Sequence, residues 1–219
     1  MKLRQTRFLY DYWARIKGER TAPDRSEIEP SDIGVILGDT FILEKTEEGR
    51  FPFRLAGSRL CSTFRRELKA RDYLGIWIGR DREAVESILN AITEEMAAAV
   101  IGSQGFTERG DAVILETVLL PMRRGDGPCN RILGAMAPSS VPYWLGVHPV
   151  MKQRITALRL IWPDEMSTTF GQPHALQLDE QNREAADSEP PVVVSGLFGQ
   201  GRSRRHRHLM VYDGGRDAT

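Results

Sequence analysis

Residues Phe51–Phe64 read FPFRLAGSRLCSTF, and this stretch decides the fold. A short apolar strand runs to Gly57 and turns at once into an amphipathic helical segment. Just upstream, Thr40-Phe41-Ile42-Leu43-Glu44 has the aromatic and β-branched composition of another strand. Thr46, Glu47, Glu48 and Gly49 between the two supply a tight polar turn. Strand, turn, strand and then small helices is an α+β opening. It suits a module that binds or senses better than one that cleaves bonds.

Downstream, Arg59–Leu74 groups apolar and charged residues in the manner of two small helices. A stronger pattern begins at Asp81, a candidate N-cap. Val85, Ile88, Leu89, Ile92, Met96, Ala99 and Val100 recur at three- and four-residue steps, which predicts one long helix closing at Gly102. Phe106–Glu108 reads as a short strand. Ala112–Met122 (AVILETVLLPM) and Asn130–Ala137 (NRILGAMA) are longer ones, joined by the turn-forming Arg123–Pro128. The expectation is therefore an antiparallel five-stranded sheet.

Ala112–Met122 carries a further inference. Val113, Leu115 and Leu119 lie on one side, and Ile114, Val118 and Leu120 on the other, so both faces of the sheet need cover. Leaving such side chains wet forfeits roughly 1.5–3 kcal/mol each. The small helices and the long one cover a single face. The first helix, with Phe8, Leu9, Tyr12, Trp13 and Ile16 at helical spacing before a stop at Gly18, is the candidate for the other. It could come from the same chain or from a partner copy, so these five residues are also the candidate dimer or partner face.

The 219 residues suffice for one domain with extensions, and 41% hydrophobic with 27% charged residues suits a cored protein with a charged surface. Lys plus Arg and Asp plus Glu number 30 each, so no global field marks a nucleic-acid or membrane binder. The N-terminus lacks the apolar core of a secretory signal, and no stretch reaches the roughly 20 apolar residues of a membrane span. Cys61 and Cys129, far apart in apolar surroundings, read as two buried thiols in a reducing compartment. The cytoplasm is the expected location.

The chain divides on this reading into a helix and connector (1–32), a core (33–138), an extension with an extra strand candidate at Ile155–Trp162 (139–162), and a flexible acidic linker with a basic tail (163–219).

As an ordered set, several pieces are familiar. They are Tyr12-Trp13, then Gly18, Arg20 and Pro23-Asp24-Arg25; Phe41–Glu44; Phe53-Arg54-Leu55-Ala56-Gly57; Glu116–Pro121; Leu133-Gly134-Ala135; and the closing Leu209–Gly215. In these the chain resembles the alphaproteobacterial PAS-like family once catalogued as a domain of unknown function. The resemblance implies a PAS-like sheet with an N-terminal helix over its second face, a C-terminal appendage, no fused output domain and a regulatory role in bacteria. It brings no ligand and no catalytic residue.

Motifs that carry chemistry are missing. Nucleophile elbows, HExxH, paired CxxC, P-loops and GxGxxG do not occur, so no enzyme is expected. His148, His174, His206 and His208 lack metal-ligand spacing, and no metal site is expected. Haem is disfavoured because no histidine precedes His148 to serve as axial ligand. A cysteine-adduct flavin is disfavoured because Cys61 sits in RLCSTF and not in the Asn-Cys-Arg-Phe-Leu motif of such photoreceptors. The cofactor, if any, stays open.

Arg54, Glu44 and Glu116 are charges set inside apolar strands, and buried charges demand partners. The structural reading pairs Arg54 with Glu44 or Glu116. The functional one turns Arg54 and Glu116 into a pocket, with Phe64, Tyr73 and Trp77 on the short helices as its aromatic walls. For those aromatics the competing reading is plain core packing. Arg202, Arg204, Arg205 and Arg207 form a candidate anion-binding run, although one without interleaved aromatics and therefore a poor nucleic-acid signal. Together these features point to a regulatory module that binds a small molecule or a regulatory protein, or pairs with itself as a homodimer. The alternatives are an interaction module whose core is filled by its own side chains and, less favoured, phosphate or nucleic-acid binding through the basic tail.

Overall fold

The computed structural model describes residues 1–125, 127–163, 203–206 and 209–212. The chain forms two compact units, Met1–Gly171 and Gln172–Thr219. In the first, helix α1 (Arg4–Lys17) leads through two 3-10 turns (Arg25–Glu27 and Gly34–Asp39) into strands β1 (Thr40–Glu44) and β2 (Phe53–Ala56). Helix α2 (Ser58–Phe64), a 3-10 turn (Tyr73–Ile76) and helix α3 (Gly79–Glu95) follow. Strands β3 (Ala98–Phe106), β4 (Ala112–Met122), β5 (Arg131–Pro138) and β6 (Lys152–Ile161) complete the unit. In the second unit, β7 (Ser203–His206) and β8 (Leu209–Tyr212) pair antiparallel.

The main sheet runs β2-β1-β5-β4-β3-β6 with every neighbour antiparallel. It has six strands, one more than the expected five, because the C-terminal extension adds β6 along the whole of β3. The α+β class and the two-faced cover are as the sequence indicated. One core cluster lies under α2, the Tyr73–Ile76 turn and α3, and takes in Val113, Leu115 and Leu119. The other lies under α1 and takes in Val118, Leu120 and Leu133.

The third strand departs from the expectation. The long helix stops at Glu95, with Met96 in the left-handed region (φ 57°), and the run through Val100 belongs to β3. Ala97 through Ile101 are all buried. A helix lying on a sheet cannot bury every side, whereas a central strand covered on both faces can. Ala99 and Ile101 enter the first cluster while Ala98 and Val100 enter the second. Gly102 consequently sits inside a strand and caps nothing. Asp81 lies in the first turn of α3, where its carboxylate accepts the Ile155 amide of β6 at 2.9 Å.

Helix α1 packs in cis. Leu9 and Trp13 are fully buried and Tyr12 nearly so, which removes them from the candidate partner face; Phe8 remains 36% exposed and Ile16 half-buried. The Trp13 indole N–H donates to the Pro121 carbonyl of β4 at 2.8 Å, locking the helix to the sheet centre. Among the described residues no helix is long and apolar enough to cross a membrane.

Replacing Trp13 by Ala is expected to cost about 3–5 kcal/mol in urea denaturation, because it empties the second cluster. Phe8→Ala, at the exposed margin of the same helix, should cost about 1 kcal/mol or less.

Candidate functional site

On the helical side of the sheet, the aromatics that were candidates for pocket walls pack against one another. Phe41 of β1 stacks on Tyr73 with centroids 5.6 Å apart and 22° between planes. Phe53 meets both edge-on at 5.6 and 5.5 Å, and Trp77 sits edge-on to Tyr73 at 6.0 Å. All four, with Phe64, are 0–2% exposed. Gly134 makes this possible. It pairs with Phe41 across β1 and β5, and a Cβ there would lie 2.3 Å from the Phe41 ring.

Polar atoms are trapped among these rings. The Tyr73 hydroxyl, the Trp77 indole N–H and the Thr117 hydroxyl are buried without a hydrogen-bond partner. Burial pushes the Tyr73 phenol well above its usual range; Thr117 and Trp77 lie close enough to pull the other way, yet neither closes a hydrogen bond. Further along, the Ser103 hydroxyl donates to the Gln153 side-chain carbonyl at 2.8 Å, both residues fully buried. Gln153 thus seals the end of the core from β6. The sequence reading missed Thr117, Ser103 and Gln153, whose polar character inside apolar strands was the available signal.

Arg54 and Glu116 do not join this set. Arg54 lies at the irregularity in the β1–β2 pairing, is mostly exposed, and pairs with Glu44 at 2.8 Å. Glu44 is shared with Arg131 of β5 at 3.4 Å. The pairing is the structural one anticipated for Arg54, on the surface and not in the core. Glu116 points to the opposite face, where it holds the start of α1. Its carboxylate accepts the Lys2 amide at 2.8 Å, the Leu3 amide at 3.0 Å and the Thr6 hydroxyl. Helix α1 has no acidic residue in its first turn and no side-chain cap, so Glu116 supplies from β4 the negative charge its N-terminus lacks. Burial acts to raise the Glu116 pKa, but these hydrogen bonds prevail and leave it lowered.

A groove opens at the uncovered end of that same outer face. Leu120, Leu133, Ile42 and Leu55 stand side by side across β4, β5, β1 and β2 in successive register pairs. Burial falls along this row, from 0% exposed at Leu120 to 53% at Leu55. Beside Leu55 the connector after α1 leans over the sheet and encloses about 410 Å³. Ile28, Pro30, Ile33 and Leu37 line it from the connector, and Leu133, Ile42 and Leu55 line it from the sheet. Arg25 is the one charged residue lining it.

The connector is fastened at both ends. Asp24 caps the Arg25–Glu27 turn, accepting the Ser26 amide at 2.8 Å, while Glu27 accepts the Asp24 amide at 2.7 Å in a capping box. Asp24 also accepts the Gly125 amide, and the Arg25 amide reaches the Arg123 carbonyl at 2.9 Å. At the far wall, Gly57 lets α2 start against the Gly34–Asp39 turn, since a Cβ there would sit 2.3 Å from the Gly38 carbonyl. The groove residues Arg25, Ile28, Leu37 and Leu55 were not picked out from sequence. The parity of Ile42 and Leu55 across the first hairpin marks part of the floor, but it does not bring the connector residues to it.

Other candidates stand apart. Both thiols are free, Cys129 buried and Cys61 only half-buried, which departs from the expected pair of buried thiols. Among the described residues no group of three or more His, Cys, Asp or Glu side chains could hold a metal ion. Of the basic run, Arg204 and Arg205 fall on β7, in register with Val211 and Met210 of β8; Arg202 and Arg207 lie outside the described residues. So do the acidic linker from residue 164 and the closing Asp213–Gly215.

Compared with known proteins, residues 1–137 match the model of a family described as PAS domain. No curated protein matches the chain. Among solved structures it is similar to the light-state LOV domain of the blue-light photoreceptor Aureochrome1 (15% identity, 48% of this chain and 84% of that one, TM-score 0.39). It is also similar to a PAS domain from Colwellia psychrerythraea (11% identity, 50% and 97%, TM-score 0.36). An RNA-binding light-oxygen-voltage receptor matches at 17% identity over 56% of this chain and 34% of that one, with a TM-score of 0.39.

Two outcomes follow from the geometry. Tyr73→Phe should leave the melting temperature unchanged or raise it, since it deletes a buried hydroxyl that costs roughly 1–3 kcal/mol while unpaired; a clear loss on calorimetry would reveal a partner for that hydroxyl. Asp24 is held down to about 2 from an ordinary 3.8, first by the Ser26 hydroxyl and then by the Ser26 and Gly125 amides. Its contribution to stability is complete above 3.8 and disappears as pH falls to about 2. Thermal melts of the parent and Asp24→Asn should therefore converge across that interval.

Proposed function

This chain belongs to the PAS domain family, and from that premise we propose that it is a non-catalytic regulatory module which recognises its ligand or partner on the outer face of its sheet, not in the core beneath its helices. The observation that carries this reading is the contact between Phe41, Phe53, Tyr73 and Trp77, all 0–2% exposed, which fills the helical side with the protein's own rings. Opening a space there for a flat ligand would separate stacked aromatics worth roughly 0.5–1.5 kcal/mol per pair beyond their buried area. The outer face already offers a formed groove, within the roughly 300–1,000 Å³ range of small-molecule sites.

A signal at that face has a short route to a partner. Ile28, Ile33, Ile42 and Leu133, which line the groove, also belong to the cluster that buries Leu9, Tyr12 and Trp13. Filling the groove stiffens that cluster and shifts the balance of α1 between tighter and looser arrangements. We place this module in the cytoplasm, as a regulator acting through protein partners.

A second reading is a homodimer formed through the outer face. Ile114, 47% exposed and on the same side of β4 as Glu116 and Val118, favours it.

Methyl and indole NMR of the full chain, titrated with a set of small amphiphiles and aromatic fragments, separates outer from inner recognition. Shifts are expected at Ile42, Leu55 and Leu133 with the Trp77 indole signal unmoved. Movement of Trp77 with the outer methyl groups unchanged would overturn the reading.

A further inference from the structure

Resting on that outer-face reading, we infer that the groove beside β2 is a binding site for a free aliphatic carboxylate, with the chain laid over Ile42, Leu133 and Leu55 and the carboxylate on Arg25. Two observations select this class. The first is charge. Arg25 is the sole charged lining residue, and its guanidinium makes one hydrogen bond, to the Ile28 carbonyl at 3.2 Å, with no carboxylate in ion-pair reach among the described residues. The acids nearest in sequence are engaged elsewhere: Glu27 with Arg20 at 2.8 Å, and Asp24 with Ser26 and Gly125. A half-buried guanidinium with donors to spare, above an apolar floor, is matched by one anionic head on one apolar tail.

The second is size. The groove holds about 410 Å³, within the roughly 300–1,000 Å³ range of small-molecule sites. A single alkyl chain fits such a volume, and the row from Leu133 through Ile42 to Leu55 gives it a continuous methyl-lined floor. The open end at Leu55 and Leu37, 53% and 44% exposed, is the way in.

The probe is dodecanoate, kept below its micelle concentration and titrated into the full chain by calorimetry and methyl NMR. Saturable binding is expected, with shifts at Ile33, Ile42, Leu55 and Leu133 and slowed hydrogen exchange across Phe8–Ile16. Arg25→Gln should weaken it roughly ten- to hundredfold, the loss of a charge-assisted hydrogen bond. Leu55→Asp and Leu37→Asp, both at exposed positions that leave the fold intact, should each abolish it. Dodecyltrimethylammonium should not compete. Equal binding by Arg25→Gln, or equal affinity for the cationic detergent, would overturn the assignment. So would a concentration-dependent dimer that Leu55→Asp breaks, which would give the groove to a second copy. If another compound shifts the outer methyl groups while dodecanoate does not, the ligand class falls and the outer-face reading stands. If dodecanoate shifts Trp77 and leaves Leu55 unmoved, both fall.

Discussion

A sheet whose central strands are apolar on both faces has to be covered twice, and the rest of the architecture follows from meeting that demand. In β4, Val113, Leu115 and Leu119 point under the helices while Val118, Leu120 and Met122 point under α1. The first cover comes from the segments between β2 and β3. The second must come from outside the sheet's own connections, and the chain provides it before β1. Helix α1 stays there because its anchors are specific. Trp13 is buried over the sheet centre with its indole N–H on Pro121, a residue with no amide proton of its own to offer. Glu116 clasps the helix start from the strand beneath.

The same demand explains how closely the rings of this core pack on one another. Phe41 can lie flat on β5 only because Gly134 stands opposite, and once there it stacks on Tyr73 and draws in Phe53 and Trp77. The cost is visible in the three polar atoms left unpaired among the rings. Each is expensive at roughly 1–3 kcal/mol, but the buried aromatic area outweighs them. Tight inner packing goes with a looser outer cover, since α1 packs on β4 and β5 and Leu55 of β2 stays exposed.

Much of this was legible from residue types. The first hairpin and the α2 start at Gly57 could be read off Thr40–Phe64, and the need for an N-terminal lid off the alternation in β4 and the aromatic stripe of α1. What misled was the stretch Met96–Val100, where a helical period runs on into a strand. Apolar residues on every position satisfy both periods at once, and only the partners on either side of β3 decide between them. Arg54 and Glu116 illustrate a second limit. Parity along one strand shows which residues share a face, but not which face is inner, nor that a bulge beside Arg54 would turn it outward. The groove was invisible for a related reason. Its walls come from the connector, β1, β2 and β5, which no local pattern brings together.

The placement of the groove bears on how a change at the sheet could reach α1. A ligand buried among Phe41, Tyr73 and Trp77 would have to transmit through a tightly packed layer before reaching α1. A ligand on the outer row acts on the α1 cluster directly, because Ile28, Ile33, Ile42 and Leu133 serve both groove and helix. The connector also limits which way the helix can respond. It is tied to the β4–β5 turn by Asp24 and Arg123, while the helix start is tied to β4 by Glu116. With both ends held, the free coordinate is the lateral seating of α1 between them, and that is the coordinate a filled groove would change.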